Sequence, residues 1–129
     1  MDEWLFLDYI ERGANPIRDW LDDKARVPTK AKAKIQRILM QLAGTRLWTR
    51  PLASNLDDYP GIVEIRIRWM NVQHRLLGYR GPGEREFTLL FPALEKDDQF
   101  VPPNAPSIAV SRMSVVQSDR SRVREHRFN

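Results

Sequence analysis

The sequence predicts an α+β domain: an N-terminal strand, two helices packed on a twisted antiparallel sheet, and a short C-terminal helix. Three observations carry this. An aromatic run too short for a helix opens the chain, two stretches at helical spacing follow, and after Gly61 the apolar period changes to two.

The elements follow in order. Glu3 to Tyr9 holds Trp4, Leu5, Phe6 and Leu7 and reads as a strand. Asn15-Pro16 supplies a helix cap and a proline at the first helical position, and Ile17, Trp20 and Leu21 form one apolar stripe. Val27-Pro28-Thr29 interrupts it. Thr29 is expected to cap a longer helix with Ala31, Ile35, Ile38, Leu39 and Leu42 on one face, ended by Gly44 in the left-handed conformation. Lys30, Lys32 and Lys34 oppose the helix dipole there, at a cost of about a few tenths of a kcal/mol. Thr45 to Gly61 reads as loop. In Ile62–Trp69, Val63, Ile65, Ile67 and Trp69 share one face, and Glu64, Arg66 and Arg68 the other. Val72 to Arg80 is a second strand, Gly81-Pro82-Gly83 a turn, and Glu86 to Ala93 a third strand with Pro92 at its far end. These three should form an antiparallel meander. Beyond Lys96 a polar loop leads to a helix starting near Pro102–Pro106, with Ile108, Ala109, Arg112, Met113 and Val116 as its contacts. The domain is expected to span 1–117, with 118–129 a charged, flexible tail. The helices should cover one sheet face and leave the other partly open.

Composition narrows the function classes. A chain of 129 residues suits one domain that needs no disulfide or metal to fold. With no Cys, thiolate nucleophiles, Fe–S clusters and Cys-type zinc sites are excluded. His74 and His126 are the only histidines, so a His-rich metal site is not expected, and no cofactor is expected either. No apolar run reaches the ~18 residues of a membrane span, and the start lacks a basic secretion signal. A soluble, cytoplasmic domain with no membrane partner is the expectation. Net charge is +4, and residues 112–129 hold five Arg against Asp119 and Glu125, so 5 − 2 places +3 in that stretch. The remainder is near neutral, and any basic site must be local. Arg outnumbers Lys 16 to 5, which suits bidentate phosphate recognition but equally reflects a genome rich in Arg codons.

The polar face of the central strand is the first candidate site. Glu64, Arg66 and Arg68 project from one surface; a hairpin partner would add Arg75, with His74 near its rim. Converging guanidiniums bind phosphate through paired hydrogen bonds. The other reading is a solvated face on which the arginines pair with Glu64 and Glu86. Asp57-Asp58 and Asp97-Asp98 read as turn formers rather than metal ligands, and Trp4, Trp20, Trp48 and Trp69 as packing rather than base-stacking groups. Gly81-Pro82-Gly83 joins two strands and is no nucleotide loop.

Across Trp4 to Arg112 the layout resembles the RelE/ParE superfamily of bacterial toxins, nearest its HigB-like, phage-associated branch. Gly61-Ile62-Val63-Glu64-Ile65-Arg66 is similar to that branch's glycine, hydrophobic, Glu-Leu-Arg signature. Arg75 follows where the family has a Tyr-Arg pair, with His74 before it. Lys96 matches the first of two family lysines, Asp97 replaces the second, and Pro102, Ala109 and Arg112 continue the pattern. The resemblance implies the RelE-like fold. It also implies the toxin component of a toxin–antitoxin system, a metal-independent, ribosome-dependent endoribonuclease (an mRNA interferase) that cleaves translated mRNA. Arg66 and Arg75 would stabilise charge, while Arg68, His74, Lys96 and Arg112 bind RNA. The implied partners are a cognate antitoxin, the ribosome and mRNA. The alternative is a non-catalytic binding module, either a ParE-like gyrase inhibitor or a phage-derived adaptor.

Overall fold

Asn15 caps as its position predicts: its side-chain oxygen accepts the Arg18 backbone N–H at 2.9 Å, opening α1 (Pro16–Asp22). The computed structural model describes residues 3–129. Before α1 lies β1 (Leu5–Tyr9), and after it α2 (Thr29–Ala43), β2 (Ala53–Asn55), β3 (Val63–Trp69), β4 (Val72–Arg80), β5 (Glu86–Lys96), β6 (Gln99–Val101), α3 (Ala105–Ser118) and β7 (Val123–Glu125). Thr29 is the first helical residue rather than the cap, which is Pro28 with no side-chain bond. Gly44 ends α2 at φ −87°, not in the left-handed region, because its N–H still reaches the Met40 carbonyl.

The fold is α+β, with one open, mostly antiparallel sheet ordered β2-β3-β4-β5-β1-β7 and β6 hung on β5. The parallel pair is β1 with β5, which requires the intervening helices as a crossover. Met70-Asn71 joins β3 to β4 as a two-residue turn, Met70 at φ 56°. Asp97 and Asp98, at φ 53° and 61°, make the same kind of turn between β5 and β6, so that acidic pair serves the backbone. Pro92 lies inside β5 rather than at its end. The outer edge of β5 is taken by β1 over Glu86–Leu89 and by β6 over Leu94–Lys96, and Pro92 falls in the gap, where its missing N–H breaks no ladder. Gly78 is needed where β4 kinks against β5; a Cβ there would collide with the Phe87 ring and the Thr88 carbonyl.

Alternation divides the buried residues between two faces. Phe6, Ile65, Leu76 and Leu89 pack under α1 and α2 with Ile17, Ile35 and Leu39. Tyr9, Leu77, Tyr79 and Leu90 pack under α3 with Ala105, Ala109 and Val116. The second face is thus covered over part of its area, and α3, at 14 residues, is not short. The Tyr79 hydroxyl there is buried without a hydrogen-bond partner. Burial, its main cause, pushes the phenol pKa up. Tyr79→Phe is therefore expected to be neutral or to stabilise by up to about 1 kcal/mol in urea denaturation; a loss larger than that would mean the hydroxyl has a partner.

The tail expected to be flexible is instead ordered. Val123–Glu125 pairs antiparallel with β1, and the His126 N–H donates to the Phe6 carbonyl at 2.9 Å. The buried His126 ring bridges two elements, with Nδ1 2.7 Å from Asp8 Oδ1 and Nε2 2.7 Å from Gln36 Oε1. Asn15 Nδ2 donates to the other Asp8 oxygen at 3.0 Å, and Gln36 Nε2 to the Arg127 carbonyl at 2.9 Å. Composition signalled disorder because the anchors are polar pairings with partners some ninety to 118 residues away.

Candidate functional site

Strand register brings the central arginines together. Arg66 on β3 lies opposite Arg75 on β4, Gln73 opposite Glu95 on β5, and Glu95 opposite Phe100 on β6. Alternation sets Glu64, Arg66, Arg75 and Glu95 on the α3 side of the sheet, beyond the area α3 covers. Two guanidiniums directly opposite would repel. Carboxylates from neighbouring positions offset this: Glu64 Oε2 lies 3.0 Å from Arg66 Nη2, and Glu64 Oε1 lies 3.1 Å from Arg75 Nε.

Arg75 is nearly saturated. Its Nε donates to Glu95 Oε2 at 2.8 Å, Nη1 to the His74 carbonyl at 3.0 Å, and Nη2 to Gln73 Oε1 at 2.5 Å and Glu95 Oε2 at 2.6 Å. Its side chain is 7% exposed, whereas those of Arg66 and Glu95 are 26% and 25% exposed. Arg66 also donates to Ser54 Oγ at 2.8 Å. The solvent-facing chemistry of this cluster therefore belongs to Arg66 and Glu95, and Arg75 holds the carboxylates in place. A cleft of about 440 Å³ opens onto it, with Arg50, Asp98 and Phe100 on its walls. Three guanidiniums (Arg50, Arg66, Arg75) meet three carboxylates (Glu64, Glu95, Asp98), so the cleft is charge-balanced.

The other expected residues scatter. Arg68 lies on the same face by alternation but at the hairpin end, exposed, with Nε donating to the Met70 carbonyl at 3.2 Å. His74 is on the opposite face, not at the rim of the arginine surface: it is 1% exposed and packs edge-on against Trp20 at 5.6 Å. Consecutive strand residues point to opposite faces, so Arg75 and His74 cannot share one. Lys96 is exposed at the end of β5, and alternation turns it away from the face of Glu95. Arg112 fastens α3 to the sheet, donating Nη1 to the Leu90 carbonyl at 2.8 Å with its guanidinium over Tyr9 and Phe91, 4.8 and 5.2 Å from the ring centroids.

Burial, and secondarily the Arg75 charge, lowers the His74 pKa below its ordinary 6.5. The unfolded chain then protonates first as pH falls. The resulting stability is complete above pH 6.5 and is lost below it, with a slope of at most about 1.4 kcal/mol per pH unit. His74→Leu is expected to flatten the stability profile between pH 6.5 and 5 in urea titrations; an unchanged slope would mean the imidazole protonates in place.

Sequence reasoning missed Glu95, Arg50 and Ser54. The first lies past Ala93, where the sequence expectation ends the strand, and carrying the alternation two residues further finds it. Glu86, expected to pair with the central arginines, instead holds Arg120 at 3.2 Å. Among the described residues, no group of three or more His, Asp or Glu is arranged to hold a metal ion, and no helix is long and apolar enough to cross a membrane. No protein-family model, curated protein or solved structure matches the chain.

Proposed function

We propose that this chain is the toxin component of a toxin–antitoxin pair, of the RelE/ParE kind and HigB-like branch, acting as a metal-independent endoribonuclease on ribosome-bound mRNA. The observation that carries the reading is a quarter-exposed carboxylate and a quarter-exposed guanidinium on one cleft, Glu95 held by Arg75, and Arg66 held by Glu64 and Ser54. Cleavage through the ribose 2′-hydroxyl needs a base for its proton, a cation for the crowded phosphate and a proton for the departing 5′-oxygen, which water supplies in this reading. Glu95 is the base in this reading and Arg66 the cation. The buried Arg75 is a positioning residue, since four of its five donors are engaged by Glu95, Gln73 and the His74 carbonyl.

The test is primer-extension mapping of cleavage on programmed ribosomes, with circular dichroism on each variant. Glu95→Gln is expected to lower cleavage about 100-fold while folding normally, and Arg66→Ala to act in the same direction. Equal cleavage by Glu95→Gln and wild type sinks the base assignment. A second reading, a binding module without catalysis (a gyrase inhibitor or adaptor), is favoured by the charge balance of the cleft. Folded wild type that cleaves no message, alone or on ribosomes, selects it. In the toxin reading the antitoxin would bind as an amphipathic helix or an added strand.

A further inference from the structure

We infer that the cleft formed by Trp48, Arg50, Ser54 and Arg80 is a subsite for one nucleotide of single-stranded RNA beside the carboxylate–guanidinium cluster, an inference that rests on the RNA-directed reading above. Unlike Arg66 and Arg75, the guanidiniums of Arg50 and Arg80 are in no ion pair among the described residues. No carboxylate lines their cleft of about 450 Å³, whereas the neighbouring one holds three. Arg50 lines both clefts and is counted against those three carboxylates, so the positive charge in excess is that of Arg80.

The charge is also held in place. The Arg80 guanidinium lies 5.8 Å from the Trp4 ring centroid and 5.7 Å from that of Trp48, within cation–π range. Trp48 is itself fixed: its indole N–H donates to the Leu42 and Thr45 carbonyls at 2.9 and 3.0 Å, and its ring stacks on Phe6 at 5.6 Å and 9°. A guanidinium plane on a rigid aromatic stack offers a base a flat partner and a phosphate several free N–H donors, with little ordering left to lose. The two clefts adjoin. Arg50 lines both, and Ser54 lines the second while accepting from Arg66, which lines the first. A strand with one phosphate at Arg66 would thus reach Arg50 and Arg80 with the next nucleotide.

The experiment is fluorescence anisotropy of a labelled eight-nucleotide oligouridylate with the full chain, without ribosomes, between 50 and 200 mM salt. Arg50→Ala and Arg80→Ala are each expected to weaken binding roughly 5- to 10-fold and to lower the log–log salt slope by about 0.7. Arg80→Lys should restore the slope but not the full affinity, because an ammonium offers no stacking plane. Arg124→Ala should leave both unchanged. Unchanged affinity and slope in the folded Arg50→Ala/Arg80→Ala double variant would overturn the subsite, and so would equally tight, equally Arg80-dependent binding of blunt duplex RNA. Absence of mRNA cleavage together with Arg50- and Arg80-dependent oligouridylate binding would remove the endoribonuclease and leave the subsite standing.

Discussion

Arg75→Ala is expected to destabilise the folded chain by about 3–5 kcal/mol, the range seen when one partner of a buried ion pair is removed. The physical cause is what remains. Glu64, with its side chain only 7% exposed, would keep one guanidinium instead of two, and Glu95 would lose two donors at once. Read as an exposed strand position, Arg75 would tolerate alanine within about 0.5 kcal/mol; buried between two carboxylates, it does not. Urea denaturation decides between these, and a loss under about 1 kcal/mol would mean the cluster is open to solvent. Glu64→Gln in the Arg75→Ala background should recover part of the loss, because the orphaned charge is gone. Activity lost with Arg75 is accordingly no measure of catalysis, which is why Glu95 and Arg66 make cleaner probes.

Asp8→Ala should also be severe, at about 1–3 kcal/mol, the cost of leaving buried hydrogen-bonding groups without their partner. Asp8 is 1% exposed and serves both His126 and Asn15, the cap of α1. Its loss strips the His126 ring of one of two partners and frees the hold of β7 on β1. Limited trypsin digestion reads this directly. Variant chains should be cut after Arg124 and Arg127 at enzyme levels that leave wild type whole. Unchanged trypsin resistance with unchanged stability would show that the backbone ladder alone retains the tail. His126→Ala should mimic Asp8→Ala in digestion.

How much of this was legible depends on the length scale of the signal. Asn15-Pro16, the α2 stripe and the Val63–Trp69 alternation are local, and α1, α2 and β3 to β5 follow them. The strands β2, β6 and β7 have three residues each and exist only through the neighbour they pair with, so no period could announce them. At the site, alternation correctly joined Glu64, Arg66 and Arg75. It misled only where it was not applied, in placing His74 beside Arg75. Lys96 and Arg112 came through the resemblance rather than through geometry; the first points away from the cluster, and the second is engaged in packing α3. Glu95 lay two residues past the end assigned to its strand, and Arg50 carried no local cue, since what makes it notable is the lack of a partner.

The position of β1 between β5 and β7 has a kinetic consequence. Its first partner residue, Glu86, follows Leu5 by 81 positions (86 − 5), and its second edge waits for Val123. Closing loops of that length carries an entropic cost before any ladder bond forms, so the β3–β4–β5 meander should nucleate and β1 should dock onto it afterwards. The β7 contacts then form after the folding barrier. Weakening them should leave the refolding rate nearly unchanged and accelerate unfolding, so the strand held by His126 governs how long the native state lasts rather than how fast it is reached.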